Sequence, residues 1–130
     1  MIAKGPFDVK MIPQPGSDDP DRKDLGRFLL DKLYHGDLSG VGKGEMLTGG
    51  TAVKNSAGYV AMERVTGTLH GKSGSFIVQH SATMTRGTPD LSIRVVPDSG
   101  TGELSGLTGS MAIIIENGKH LYELTYTLEP

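Results

Sequence analysis

No cysteine occurs among the 130 residues, which excludes disulfides, thiolate zinc sites and cysteine nucleophiles together. No apolar run approaches the ~20 residues a helix needs to cross a bilayer, although hydrophobic residues make up 36% of the chain. The opening stretch MIAKGPFDVKMIPQPGSDD has no apolar segment followed by a small-residue cleavage site. A secretory leader is therefore not expected, and the expected compartment is the cytoplasm. Strong charge is missing too: the net charge is −2 and the pI is near 6.0. That removes the basic footprint a nucleic-acid or anionic-membrane binder needs, and no block of like charges restores it. Neither nucleic acid nor a membrane is an expected partner.

The motifs of phosphate and nucleotide chemistry are absent as well. Gly71-Lys72-Ser73 looks like the end of a Walker A loop, but the first glycine of that pattern would fall at Thr66. A dinucleotide fingerprint starting at Gly100 meets Ser105 where glycine is required, and one starting at Gly42 meets Leu47. No G-x-S-x-G elbow exists, so an α/β-type serine hydrolase is excluded. The histidines, at 35, 70, 80 and 120, show no H-x-H, H-x-x-x-H or H-E-x-x-H spacing. Asp18, Asp19, Asp21 and Asp24 fit no calcium-loop pattern and read as a solvated loop over 13–26. No cofactor and no metal is expected.

Glycine is what the chain has in excess. There are 19, about twice the usual ~7% share, spread at intervals and not gathered in one tract. An outline recurs in HGDLSGVGKGEM (35–46), TGTLHGKSGSF (66–76) and TGELSGLTGSM (101–111). Each copy contains Gly-x-Leu-x-Gly. The copies begin at Gly36, Gly67 and Gly102, and so lie 31 and 35 residues apart. That interval is about two strands plus their turns. Each copy reads as a corner between strands, with its leucine tucked under the end of a barrel and its glycines supplying positive φ or a kink.

Between the glycines lie short runs rich in Val, Ile, Thr, Tyr and Phe. They predict strands at about 4–12, 26–35, 43–48, 57–67, 74–86, 90–97, 108–116 and 119–128. Helical periodicity is nearly absent. The expected fold is all-β: a single domain over 1–130, a closed or nearly closed antiparallel eight-stranded β-barrel of meander hairpins, with little or no helix.

Asn117-Gly118 between two apolar runs predicts a two-residue type I′ hairpin. Its register sets Ile115 against His120, Ile113 against Tyr122 and Met111 against Leu124, all on one buried face with Tyr126 and Leu128. A hairpin centred between His70 and Gly71 sets Val65, Glu63 and Ala61 against Phe76, Val78 and His80. The buried face of the second strand is then Phe76, Val78, His80, Ala82 and Met84, with Glu63 inside near His80. A slip of one residue would replace Glu63 by Met62 and Val60. Arg94 falls on the outer face, opposite Leu91, Ile93 and Val95.

These registers gather Tyr59, Glu63, His80, His120, Tyr122 and Tyr126 as polar tips in an otherwise apolar lumen. An eight-stranded barrel is just wide enough to be filled by side chains or to hold one small ligand. Glu45 is placed at a barrel end, as a lining of the mouth or as a solvated carboxylate. His35 and His70 sit in turns. Outward apolar residues such as Val60, Met62 and Ile114 suggest self-contact, with a homodimer as the default.

The segments SAGYVAMERVTGTLHGKSGSFIVQHSATMTRG and VVPDSGTGELSGLTGSM carry a resemblance to a known family. Its most specific pieces are Gly58-Tyr59-Val60-Ala61, Gly74-Ser75-Phe76, Gln79-His80 and Pro97-Asp98-Ser99-Gly100-Thr101-Gly102. The chain, from about Gly26 to Leu128, resembles a bacterial domain-of-unknown-function family (family 3224) whose members are similar in fold to allene oxide cyclase barrels. The resemblance implies that barrel. It implies no activity and supplies no catalytic residues.

Three readings follow. The first is a small-molecule-binding barrel anchored by His80, His120, Tyr122 and Glu63. The second is a lyase, isomerase or cyclase with Glu63 and His80 as an acid–base pair. The third is a filled barrel with a structural or oligomer-forming role.

Overall fold

The computed structural model describes residues 1–129. Eight antiparallel strands follow one another around a closed barrel: β1 Ile2–Pro13, β2 Leu25–Tyr34, β3 Leu38–Gly50, β4 Ala57–Leu69, β5 Lys72–Thr85, β6 Thr88–Val95, β7 Leu107–Glu116 and β8 Lys119–Leu128. The only helical pieces among the described residues are 3₁₀ turns at Pro20–Arg22 and Gly102–Leu104. Strand β8 returns to β1, from Ile2 opposite Thr125 to Pro6 opposite Leu121, so no sheet edge is left open there. The thinnest seam is β6 against β7, where only Ile93–Met111 and Arg94–Ser110 pair.

Both predicted hairpin registers are present. Ile115 faces His120, Ile113 faces Tyr122 and Met111 faces Leu124. Val65, Glu63 and Ala61 face Phe76, Val78 and His80. The turns owe this to residues that accept positive φ in pairs, at His70-Gly71, Arg86-Gly87 and Asn117-Gly118. Paired positive φ is the type I′ signature whose twist matches the strands.

The repeated leucines close one end of the barrel. Leu38, Leu69 and Leu104 are 0%, 1% and 1% exposed, and all belong to the main core. Gly36, Gly102 and Gly106 bend the corners at φ of +96°, +59° and +87°.

The sequence reading differs from the structure in β3 and in the extent of the buried face. Strand β3 begins at Leu38 and not near residue 43. Gly40, Gly42 and Gly44 take inward positions along it, so the apolar alternation that marks a strand is missing there. Met84 and Ile115 share the parity of the buried face but are 42% and 68% exposed. They stand at the end opposite the leucines, where the barrel is open.

The interior is layered. A large apolar cluster containing Tyr34, Val65 and Val78 fills the closed half, and a small one of Leu30, Met46 and Ala61 sits toward the open end. Between them, two residues along the same strands, come Lys32, Glu63 and His80. These are the buried polar or charged residues of the barrel.

Candidate functional site in the barrel lumen

The site starts from a carboxylate sealed from the surface. Glu63, on β4, is 1% exposed. Its Oε1 lies 3.0 Å from Lys32 Nζ and 3.0 Å from His80 Nε2. Its Oε2 accepts a hydrogen bond of 2.5 Å from the Tyr34 hydroxyl. Strands β2, β4 and β5 thus each contribute to one charge cluster. Lys32 Nζ also lies over aromatic faces, 5.3 Å from the Phe7 ring centre and 6.0 Å from that of Tyr34, where the ring quadrupole attracts a cation.

Burial alone would raise the Glu63 carboxyl, but the His80 bond, the Lys32 ammonium and the Tyr34 bond outweigh it and hold it below its ordinary value. The carboxylate is therefore ionised. Tyr34 is driven strongly the other way, by burial first and by the Glu63 anion second, and keeps its proton.

Space for the carboxylate comes from an absent side chain. A Cβ on Gly42 would stand 2.1 Å from Glu63 Oε2 and 3.2 Å from a ring carbon of Tyr34. The inward glycine of β3 is the recess that Glu63 and Tyr34 fill.

Above the cluster the lumen holds a cavity of about 290 Å³, reaching Lys32 and His80 at its floor. Its walls include Phe7, Leu30, Met46 and Ile113, and Tyr59 and His120 add polar tips. The His120 ring packs 5.4 Å from that of Phe7, and burial pushes the Tyr59 phenol up. A concavity of about 660 Å³ lies mostly on the outer wall, beside Arg27, Glu45, Leu47, Val60, Met62 and Gln79, and also borders Ala61 and His80. It is the larger of the two, and its Arg27–Glu45 ion pair is already made.

The structure sorts the sequence-derived candidates. Glu63 and His80 meet as expected, and Tyr59 and His120 line the same cavity. Tyr122 and Tyr126 point inward, but their hydroxyls are taken up at the closed end. Tyr122 donates to His35 O at 2.7 Å and accepts from Leu38 N at 2.8 Å, while Tyr126 bonds the His70 ring. They do not reach the lumen cavity as ligand anchors, because the closing turns use them first. Of the two readings of Glu45, the solvated carboxylate holds and the mouth lining does not: it lies mid-strand on the outer wall. It is half-exposed and bonded to Arg27 at 2.7 Å, since its parity on β3 points outward. His35 is exposed beside Asp8 at 3.1 Å. Arg94 is exposed on the outer face, as expected.

Sequence reasoning missed Lys32, Tyr34 and Gly42. In FLLDKLY the apolar residues fall on both parities, Phe28 and Leu30 on one, Leu29 and Leu33 on the other. Alternation there does not say which face carries Lys32. Among the described residues no group of three His, Cys, Asp or Glu side chains is placed to hold a metal ion. No helix among them is long and apolar enough to cross a membrane.

A family model described as "Protein of unknown function (DUF3224)" matches residues 3–126. A crystal structure of a protein with unknown function from the DUF3224 family of Shewanella oneidensis MR-1 is 49% identical to the chain. The match covers 100% of this chain and 98% of that one, at a TM-score of 0.93. No curated protein matches. The eight-stranded barrel is compatible with the allene oxide cyclase-like fold that the resemblance implied.

Proposed function

Since the chain belongs to the DUF3224 family, whose description assigns no activity, we propose its function from the site: it binds a small apolar or amphipathic molecule in the barrel lumen. The observation that carries this reading is the cavity of about 290 Å³ with apolar walls and a floor of Lys32 and His80, which share the buried Glu63 carboxylate beneath it. Ligand sites have this form, mostly apolar with a few convergent polar groups.

Energetics points the same way. Burying an ion pair is weak support for a fold, and well-packed apolar residues of similar volume are often as stable or more so. A barrel serving only as a filled scaffold gains little from a Lys–Glu–His cluster at the bottom of an opening.

The 3.0 Å contact between Glu63 and His80 supports a second reading. A carboxylate that orients an imidazole is the arrangement of a general base, as in a lyase, isomerase or cyclase. A third reading, assembly through the outer wall, draws on Val60, Met62 and Ile114, which are 51%, 48% and 42% exposed. A homodimer in the cytoplasm would pair such walls.

Native mass spectrometry of the untagged protein, purified from its own cells, tests the first reading. An adduct that is lost on denaturation, and weakened in His80→Phe or His120→Phe, is the expected result. Binding unchanged in both variants would remove the site from the lumen. A bare mass, with no shift against a metabolite and lipid panel, would favour the filled barrel, and the same spectrum would report its oligomer.

A further inference from the structure

Resting on the lumen-binding reading, we infer that the ligand is a weakly acidic hydroxyl compound, a phenol or an enol on an apolar frame. His80 accepts its proton and Lys32 holds the oxygen left behind.

Glu63 decides which nitrogen of His80 bears hydrogen. Glu63 Oε1 receives His80 Nε2 at 3.0 Å. An ionised carboxylate only accepts, so Nε2 carries the hydrogen and donates it. In the neutral imidazole Nδ1 is then bare, a base and an acceptor. Among the described residues Nδ1 has no hydrogen-bond partner. Yet among the described residues no sealed side-chain nitrogen or oxygen lacks a partner. Nδ1 therefore touches open space; His80 borders both the lumen cavity and the concavity beside Gln79, and its inward parity on β5, shared with Phe76 and Val78, turns the ring to the lumen.

Lys32 supplies the second half. Its ammonium has three hydrogens, and its one polar partner among the described residues is Glu63. It lines the same cavity as His80, and both bond the same carboxylate oxygen. A proton acceptor thus sits beside a cation at the bottom of an apolar pocket.

That pairing selects among oxygen compounds. A carboxylic acid arrives ionised at neutral pH and brings no proton for Nδ1. An ether or ketone without an acidic hydrogen presents only acceptors to a nitrogen that needs a donor. A phenol or enol satisfies both groups. Its O–H bond breaks, the electron pair stays on oxygen, and the proton forms the Nδ1–H bond of an imidazolium. The oxyanion lies against Lys32, and release reverses the transfer.

The charges balance across the cluster. Before binding, Glu63 and Lys32 offset each other. After transfer, the Glu63 carboxylate and the ligand oxyanion alternate with Lys32 and the imidazolium, and no net charge enters the apolar wall. The remaining titratable groups facing this space are Tyr34, spent on Glu63, and Tyr59 and His120 on the cavity wall.

Para-nitrophenol and its methyl ether, para-nitroanisole, test the inference, because the ionised phenol has its own absorption band. The measurement is titration of the intact protein on the acid side of the phenol's pKa in water. Para-nitrophenol should bind about tenfold tighter than para-nitroanisole, as one added hydrogen bond to a charged group implies. Its bound spectrum should be that of the phenolate. His80→Gln keeps a donor toward Glu63 but has no basic nitrogen, so it should still bind para-nitroanisole and lose the phenolate band. Equal affinity for both probes with a neutral-phenol spectrum overturns the inference and leaves the lumen-binding reading standing. A phenolate band that persists in His80→Gln removes His80 as the acceptor. Binding of neither probe overturns the inference, while the lumen-binding reading is decided by the mass spectra.

Discussion

Gly42 of β3 and Glu63 of β4 occupy one volume: a Cβ on the glycine would lie 2.1 Å from the carboxylate oxygen Oε2. Glu63 is held by Lys32, His80 and Tyr34 and has no free direction in which to retreat. Gly42→Ala should therefore destabilise the barrel by roughly 1–3 kcal/mol, the usual range for overpacking a core. A denaturant titration measures this. A neutral result would mean that the carboxylate moves easily and that the cluster is loosely held.

The Lys32–Glu63 pair predicts a large non-additivity. Lys32→Met alone leaves a buried carboxylate without its cation, and Glu63→Gln alone leaves a buried ammonium without its anion. Breaking such a pair is expected to lower stability by about 3–5 kcal/mol in each single variant. The double variant should lose much less than the sum. The interaction energy from a double-mutant cycle checks this, and additive losses would show that the two side chains do not sense each other.

Acid should act through Glu63 in a defined direction. Its carboxyl lies below the ordinary value of 4.5 in the folded protein, so the unfolded chain binds the extra proton first as pH falls. The Glu63 contribution is fully present above that ordinary value and is lost as pH falls through the depressed folded one. Unfolding free energies measured across the acid range should fall more steeply in the parent than in Lys32→Met/Glu63→Gln. Parallel curves would assign the acid sensitivity to the other carboxylates.

Tyr122 should behave as a clamp. Its hydroxyl ties β8 to both ends of the turn between β2 and β3, at His35 O and Leu38 N. Tyr122→Phe removes the partner of a buried N–H while keeping the ring, a loss of about 1–3 kcal/mol. Ligand binding in the lumen should be unchanged once the variant is folded. A variant that lost binding at full stability would return Tyr122 to the site.

Half of the candidate site is legible in the sequence. Glu63 and His80 lie on a hairpin whose turn, His70-Gly71, and whose alternating strands fix parity locally, and Asn117-Gly118 does the same for His120. Once Ala61 faces His80, Glu63 has to point inward beside it. Lys32 and Tyr34 are not legible, because Leu29 and Leu33 blur the alternation of β2. Gly42 reads as part of a loop, because a strand with glycine at its inward positions has no apolar signal to show. Glu45 reads as a rim residue for the same reason, since the true start of β3 shifts it to mid-strand on the outer wall.

By itself the sequence determined what depends on neighbours along the chain. This covers the type I′ turns, the parity of the clear hairpins, the leucine corners with their positive-φ glycines, and from these an eight-stranded all-β barrel. Only the tertiary structure decided what depends on closure. The pairing of β8 with β1, the side of the barrel from which Lys32 reaches Glu63, and which end stays open follow from the registers of all the strands together. Side-chain parity is a local property with a period of two residues. Meeting across a lumen is a property of the closed barrel, where tilt and stagger of every strand act at once.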